Sequence, residues 1–203
     1  MSLVPTSGPV LEPVSLGEAK AHLRVDHGAE DLLIASLITA ARVHIELVLS
    51  RALITQSWSW FLDAWPDRVT LELPIAPVRA INAVRILTQG DAVATLGDVA
   101  YALDGQGLPP RLARKSDGRS ARWKQAGPQP AYAANGIEID FVAGYGDAAA
   151  DVPQPLRQAV LLLVAHWYER REPVEIGRDT STGHSIMPAM VEQLIAPYRA
   201  VRL

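Results

Sequence analysis

Between residues 29 and 49 the chain keeps an apolar period of three to four. Ile34, Leu37, Ile38, Ala41, Ile45 and Val48 fall on one stripe, with Glu30 and Asp31 in the first turn, where the helix dipole favours acids. The pattern predicts a helix of about 30 Å. A second helical pattern fills 151–173. Pro153 and Pro155 suit its entrance and Pro173 closes it, while Leu156, Ala159, Val160, Leu163, Val164 and Trp167 share one face. Its middle turns also carry Leu161, Leu162 and Ala165 on the opposite side, so the run 159–165 is covered on both sides or exposes a sticky band. Two-sided burial means a central helix, a contact between subunits, or both. A membrane span needs about 20 apolar residues, and Arg157, Gln158, His166 and Glu169 crowd this run too closely for one. Shorter helices are expected at 16–23, opened by a Ser15/Glu18 capping box, and from 188 or 189 to 195, stopped by Pro197.

After Arg51 the period changes to short apolar and aromatic runs cut by Pro and Gly, which predicts strands at 56–62, 70–73, 80–87, 101–103, 111–113 and 137–143. The alternation of Ile137, Ile139 and Phe141 with Glu138 and Asp140 is the clearest half-buried strand. The polar stretch 115–135 has neither period and reads as a long exposed loop. Residues 175–185, rich in Gly, Ser and Thr, read as a flexible joint. The expected organisation is an extended N-terminal arm at 1–14, two helices of a bundle at 15–54, a β-rich insert at 55–146, and the central helix, a short helix and a tail at 147–203. Residues 15–203 form a single unit in this reading. The fold class is α+β, with a helical bundle built from both chain ends and a sheet looped out between the second and third helices.

Composition narrows the function classes. With 203 residues, 49% hydrophobic and 20% charged, the chain is an ordinary globular protein with enough material for a buried core. A net charge of -3 argues against a surface devoted to nucleic-acid phosphates. It leaves room for a local basic patch. Without cysteine there is neither a disulfide framework nor a thiolate metal site. Residues 1–13, with three prolines and no apolar core, do not read as a signal peptide, so the expected address is the cytoplasm.

The catalytic inventory is thin. His166 and Glu169, three apart on a helix, could share a metal, but further ligands are missing. His44 and Glu46 are two apart and do not face each other. Gly144, Tyr145 and Gly146 occupy a strand-to-helix junction, where a dinucleotide loop would sit; the third glycine is absent and a turn explains them better. Asp63 with Asp67, and Glu138 with Asp140, are carboxylate pairs that could be proposed as acid and base; Glu138 and Asp140 lie on the polar face of a strand, where solvation explains them without catalysis. No catalytic, cofactor or metal residue is assigned. Arg114, Lys115, Arg119, Arg122 and Lys124 cluster around Trp123, an aromatic among cations as in single-strand clamps, and are the possible DNA-facing residues. Trp58, Trp60, Trp65 and Trp167 are expected to be core or interface anchors.

The order of short blocks carries more information than any one of them. SLGEAKAHLRVD (15–26), EDLLIASLITAARVHIE (30–46), RALITQSW (51–58), LDAWP (62–66), LPIAPV (73–78), FVAGYG (141–146), VPQPLRQAVLLLVAHWYERRE (152–172) and LIAPYR (194–199) stand in register. Together they resemble the phage head-tail connector family, the adaptor or head-completion proteins; the later blocks also resemble the adaptors of gene transfer agents. The resemblance implies a structural subunit rather than an enzyme, without cofactor. It implies a helical bundle and a ring of about a dozen copies beneath the portal protein, with a stopper or tail-completion protein docking on it. DNA would be passing cargo only, and no membrane is involved. The subunit would be made in the bacterial cytoplasm and end at the head-tail junction of the particle. The family's C-terminal segment engages the portal, which maps onto Leu194, Tyr198, Arg199, Arg202 and Leu203. The second apolar side of the central helix, Leu161, Leu162, Ala165 and Tyr168, is the expected contact between subunits. The competing classes are a small enzyme or ligand-binding domain with an unrecognised site, and a weak DNA-binding module using residues 114–124.

Overall fold

The computed structural model describes residues 1–116, 118–125, 127–131, 134–170 and 187–199. The chain gathers into two compact units. One takes Leu11–Leu49 together with Gly146–Arg199, and the other is built on Met1–Val10 and Ser50–Tyr145. The sequence reading instead treats 15–203 as one unit.

The first unit is helical: α1 (Leu16–Leu23), α2 (Asp31–Leu49), α3 (Gln154–Glu169) and α4 (Ala189–Ile195). Helices from both ends of the chain meet here, α3 packing against α1, α2 and α4. The capping box at α1 is formed as expected. The Glu18 N–H donates to Ser15 Oγ at 3.2 Å, and the Ser15 N–H donates to Glu18 Oε2 at 2.8 Å. Arg24 ends α1 in the left-handed conformation, φ 59°. Leu156, Ala159, Val160, Leu163 and Val164 of α3 are buried, and Trp167 is half-buried with its ring edge-on to His44 at 5.8 Å. In α2 the buried positions are Ile34, Ile38, Ala41, Arg42, Ile45 and Leu49. Val48, expected on that stripe, is exposed instead. Among the described residues α2 is the one helix long and apolar enough to cross a membrane, a test that the core helix of a soluble protein also passes.

The capping box makes a testable contribution. Hydrogen bonds from the Ser15 N–H and then from its hydroxyl hold the Glu18 carboxyl below its ordinary value of 4.5, and the Arg157 charge adds to this. A lowered folded-state value means that the stabilisation is complete above the unfolded value and is lost as the pH falls below it. Ser15→Ala is expected to cost about 1 kcal/mol in urea unfolding near neutral pH. It should also flatten the acid limb of the stability curve; an unchanged limb counts against this role.

Among the described residues the second unit holds two antiparallel sheets. The larger runs β1 (Ser2–Ser7), β2 (Gln56–Leu62), β9 (Ile137–Ala143), β4 (Val78–Leu87) and β5 (Val93–Thr95), in that order across the sheet. The smaller is ordered β3 (Thr70–Glu72), β7 (Arg111–Ser116) and β6 (Tyr101–Asp104), with β8 (Arg119–Ser120) pairing β7. Trp60, Leu62, Val84, Ile86, Ile137, Ile139 and Phe141 from the large sheet, and Leu71 and Leu112 from the small one, share a single core. The fold is α+β, with a β-rich insert between α2 and α3.

Several stretches differ from the sequence expectation, among them the unexpected strand β5, which pairs β4. Part of the N-terminal arm is the edge strand β1, in register with β2 at Leu3 and Trp60. Pro5 sits where the register shifts, as an edge position allows. The polar stretch from 115 is not simply an exposed loop: it begins with the turn between β7 and β8, where Gly118 takes φ 72°. It then folds Trp123 into the core.

Candidate interaction surfaces

The basic cluster separates into two kinds of side chain. Arg114 is buried, its guanidinium 5.7 Å from the centre of the Trp123 ring and donating to the carbonyls of Ala100 and Lys115. Burial lowers its pKa from the ordinary arginine value. Arg122 pairs with Asp67 at 3.1 Å. Lys115, Arg119 and Lys124 are exposed. Trp123 stacks on Trp65 with ring centres 4.6 Å apart and planes 21° from parallel, and its Nε1–H donates to the Leu112 carbonyl at 3.3 Å. The expected platform for nucleotide bases is therefore a core residue. Its indole offers no free face to a base.

Of the carboxylate pairs, Glu138 and Asp140 are both bound by Arg85 across the β4–β9 pair, and Ser59 donates to Asp140. This is a cross-strand ladder on the face turned away from the core. Asp63 accepts from the N-terminal ammonium at 3.3 Å and from the Asn135 N–H at 3.0 Å, while Asp67 serves Arg122. Glu46 pairs with Arg42 rather than His44. Burial, with the nearby Arg170 charge, holds His166 below its ordinary value. Among the described residues no group of three or more His, Asp or Glu side chains is placed to hold a metal ion. Gly144 has φ 139°, and a Cβ there would lie 2.6 Å from the Thr55 nitrogen. Close backbone approach therefore demands this glycine, and no phosphate cradle is needed to explain it.

The apolar surfaces are distributed unevenly. Leu161, Leu162, Ala165 and Tyr168, on the second side of α3, are all half-buried within the chain, and the Tyr168 hydroxyl donates to Glu30. The more exposed apolar face belongs to α2, where Leu32 is 89% and Leu47 is 74% exposed. The sequence reading assigned no contact to it. At the C-terminal end Val191 and Ile195 anchor α4, Leu194 and Tyr198 are half-buried, and Arg199 is exposed. Arg202 and Leu203 lie outside the described residues.

Residues 13–86 match a known family. It is that of the phage gp6-like head-tail connector proteins. The stretch takes in α1, α2, β2, β3 and nearly all of β4, where most of the sequence blocks fall. Solved structures are similar to this chain over its whole length. In a virion of a native gene transfer agent particle, one chain is 29% identical with a TM-score of 0.81, the match covering 100% of this chain and 97% of that one. Chains from the neck of an empty gene transfer agent particle, computed with C6 symmetry, and of a native one, computed with C12 symmetry, match over the same shares. Their identities are 29% and 28%, with TM-scores of 0.78 and 0.74. No curated protein matches. The resemblance read from the order of the blocks therefore holds, and the family match and the neck structures support a structural connector role.

Proposed function

We propose that this chain is the structural head-tail connector subunit of a phage, prophage or gene transfer agent. Copies assemble as a ring beneath the portal, and the ring gives a stopper or tail-completion protein its docking surface. The observation that carries the reading is the end-to-end correspondence with a chain of a gene transfer agent virion, at 100% and 97% coverage. Neck chains from particles treated with C6 and C12 symmetry support cyclic self-assembly. The subunit performs no chemistry. The carboxylates considered as acid and base are engaged in ion pairs and hydrogen bonds. DNA is passing cargo: with Trp123 in the core, the exposed cations Lys115, Arg119 and Lys124 retain only a non-specific attraction for phosphates.

The portal contact falls to the end of the chain, through Leu194, Tyr198, Arg199, Arg202 and Leu203. Deleting residues 198–203 is expected to leave one cooperative unfolding transition and to stop heads from joining tails. Electron microscopy of the variant lysate should show separate heads and tails. Finished particles at wild-type numbers would refute the contact, and a gene deletion that leaves joining intact would refute the connector role itself.

A further inference from the structure

We propose that the outer face of α2 is the ridge by which one copy of this chain seats in an apolar groove of the next. The inference rests on the ring reading above and names the surfaces that make the ring. On α2 the buried positions Ile34, Ile38, Ala41 and Ile45 define one side. Directly opposite, at helical spacing, stand Leu32, Ser36, Ala40, Val43 and Leu47, all exposed and none charged. A helix facing only water carries polar residues there. Large side chains at the two ends of the face flank small ones in the middle, so another surface can approach closely.

The same unit carries a complementary groove. It encloses about 460 Å³ between Leu11, Val14 and Leu16 on one wall and Ala35 and Ile38 of α2 on the other. Glu12, the charged group in its lining, is engaged by Arg42 at 2.7 Å and Thr39 at 2.9 Å. Neither ridge nor groove presents an uncompensated charge, so joining them desolvates no lone ion and sets no like charges together. The two patches are different, so copies joined ridge to groove meet head to tail. That contact closes a ring when the rotation permits. Its size fits a second copy held in a ring better than a partner held alone. The ridge is about 22 Å long and about 10 Å wide, roughly 220 Å², against roughly 800 Å² per partner in a stable complex. One such contact does not hold a dimer in solution. Repeated around a portal, it does not need to.

The chain has no cysteine, so introduced thiols report without background. Leu11→Cys is combined in turn with Leu32→Cys, Val43→Cys and Leu47→Cys, and each gene replaces the native one in a particle-producing strain. Mild oxidation of purified particles is expected to give a ladder of disulfide-linked multiples with at least one pair, and monomers with every single variant. An amine-reactive cross-linker on the same particles reports the ring whichever face makes it. An amine ladder without a disulfide ladder overturns the α2 contact and leaves the ring reading standing; absence of both overturns the ring reading and the contact with it. Disulfide dimers from a ridge cysteine alone, or a disulfide to another particle protein, overturn the head-to-tail pairing. The double variant Leu32→Lys, Leu47→Lys is expected to keep the native melting temperature. Its incorporation into particles should drop about tenfold or more, the factor that burial of a single leucine is worth. Wild-type incorporation of that folded variant overturns the proposal.

Discussion

Trp123→Ala is expected to cost about 3–5 kcal/mol of stability, the range for deleting a fully buried tryptophan. The residue was a candidate base-stacking platform on sequence grounds, and the structure makes it a keystone of the β-rich unit. Its ring lies on Trp65 at 4.6 Å, the Arg114 guanidinium sits 5.7 Å from its centre, and its Nε1–H satisfies the Leu112 carbonyl. Truncation to alanine removes all three at once. It opens a cavity between the sheets, strands the buried Arg114 without its aromatic partner, and leaves a carbonyl of β7 short of a donor. Trp123→Phe keeps most of the stacking area and loses the N–H, so it should lose markedly less. Urea unfolding followed by circular dichroism measures both variants. A Trp123→Ala loss below about 1 kcal/mol, the scale of surface changes, together with weakened DNA binding, would return the residue to the surface role.

The helical part of the fold was legible because its signals are local. Ser15 and Glu18 are three residues apart and bond each other, and α1 spans the predicted 16–23. The strands at 56–62 and 137–143 were equally plain, since aromatic and β-branched residues fill them. What escaped depends on contacts distant in sequence. β1 carries Pro5 and no alternation; it is a strand because β2, more than fifty residues later, offers an open edge. β8 is two residues long and polar, and its partner β7 defines it. Trp123 sits in a polar run whose composition says loop, and its burial follows from Trp65 and Leu112.

The exposed apolar face of α2 was hard to read for a related reason. Periodicity reveals that a helix has apolar residues on two sides, but not which side the rest of the chain covers. In α3 both sides find some cover: Leu161, Leu162, Ala165 and Tyr168 are half-buried. In α2 the stripe read from sequence is largely the buried one, and Leu32 and Leu47 taken singly carry no signal, since isolated surface leucines are common. Their shared face became visible only when the buried side of α2 was fixed. The alignment of blocks with connector proteins was legible without any of this. It reflects sequence likeness, and that likeness extends to solved neck chains along the whole length.

Arg42→Met is expected to destabilise the helical unit by about 3 kcal/mol, the lower end of the cost of breaking a buried ion pair. Arg42 lies on the buried side of α2, with Nε 2.7 Å from Glu12 Oε2 and Nη1 2.7 Å from Glu46 Oε2. Burial works against its charge, but the hydrogen bond it donates to Glu12 and the fields of Glu46 and Glu12 outweigh it, and its pKa lies above the ordinary arginine value. Methionine fills similar volume and takes away the cation that Glu12 and Glu46 share. The damage comes from carboxylates that lose this shared cation rather than from lost packing, so adding Glu12→Gln and Glu46→Gln to Arg42→Met should recover at least half of the loss. A triple variant no more stable than the single one would show that the packing of Arg42, not its charge, was being measured. The same triad ties the segment carrying Leu11, Val14 and Leu16 to α2, with Thr39 donating to Glu12 at 2.9 Å. Arg42→Met should therefore loosen the groove wall, and hydrogen exchange at residues 11–16 is expected to rise before α2 itself opens.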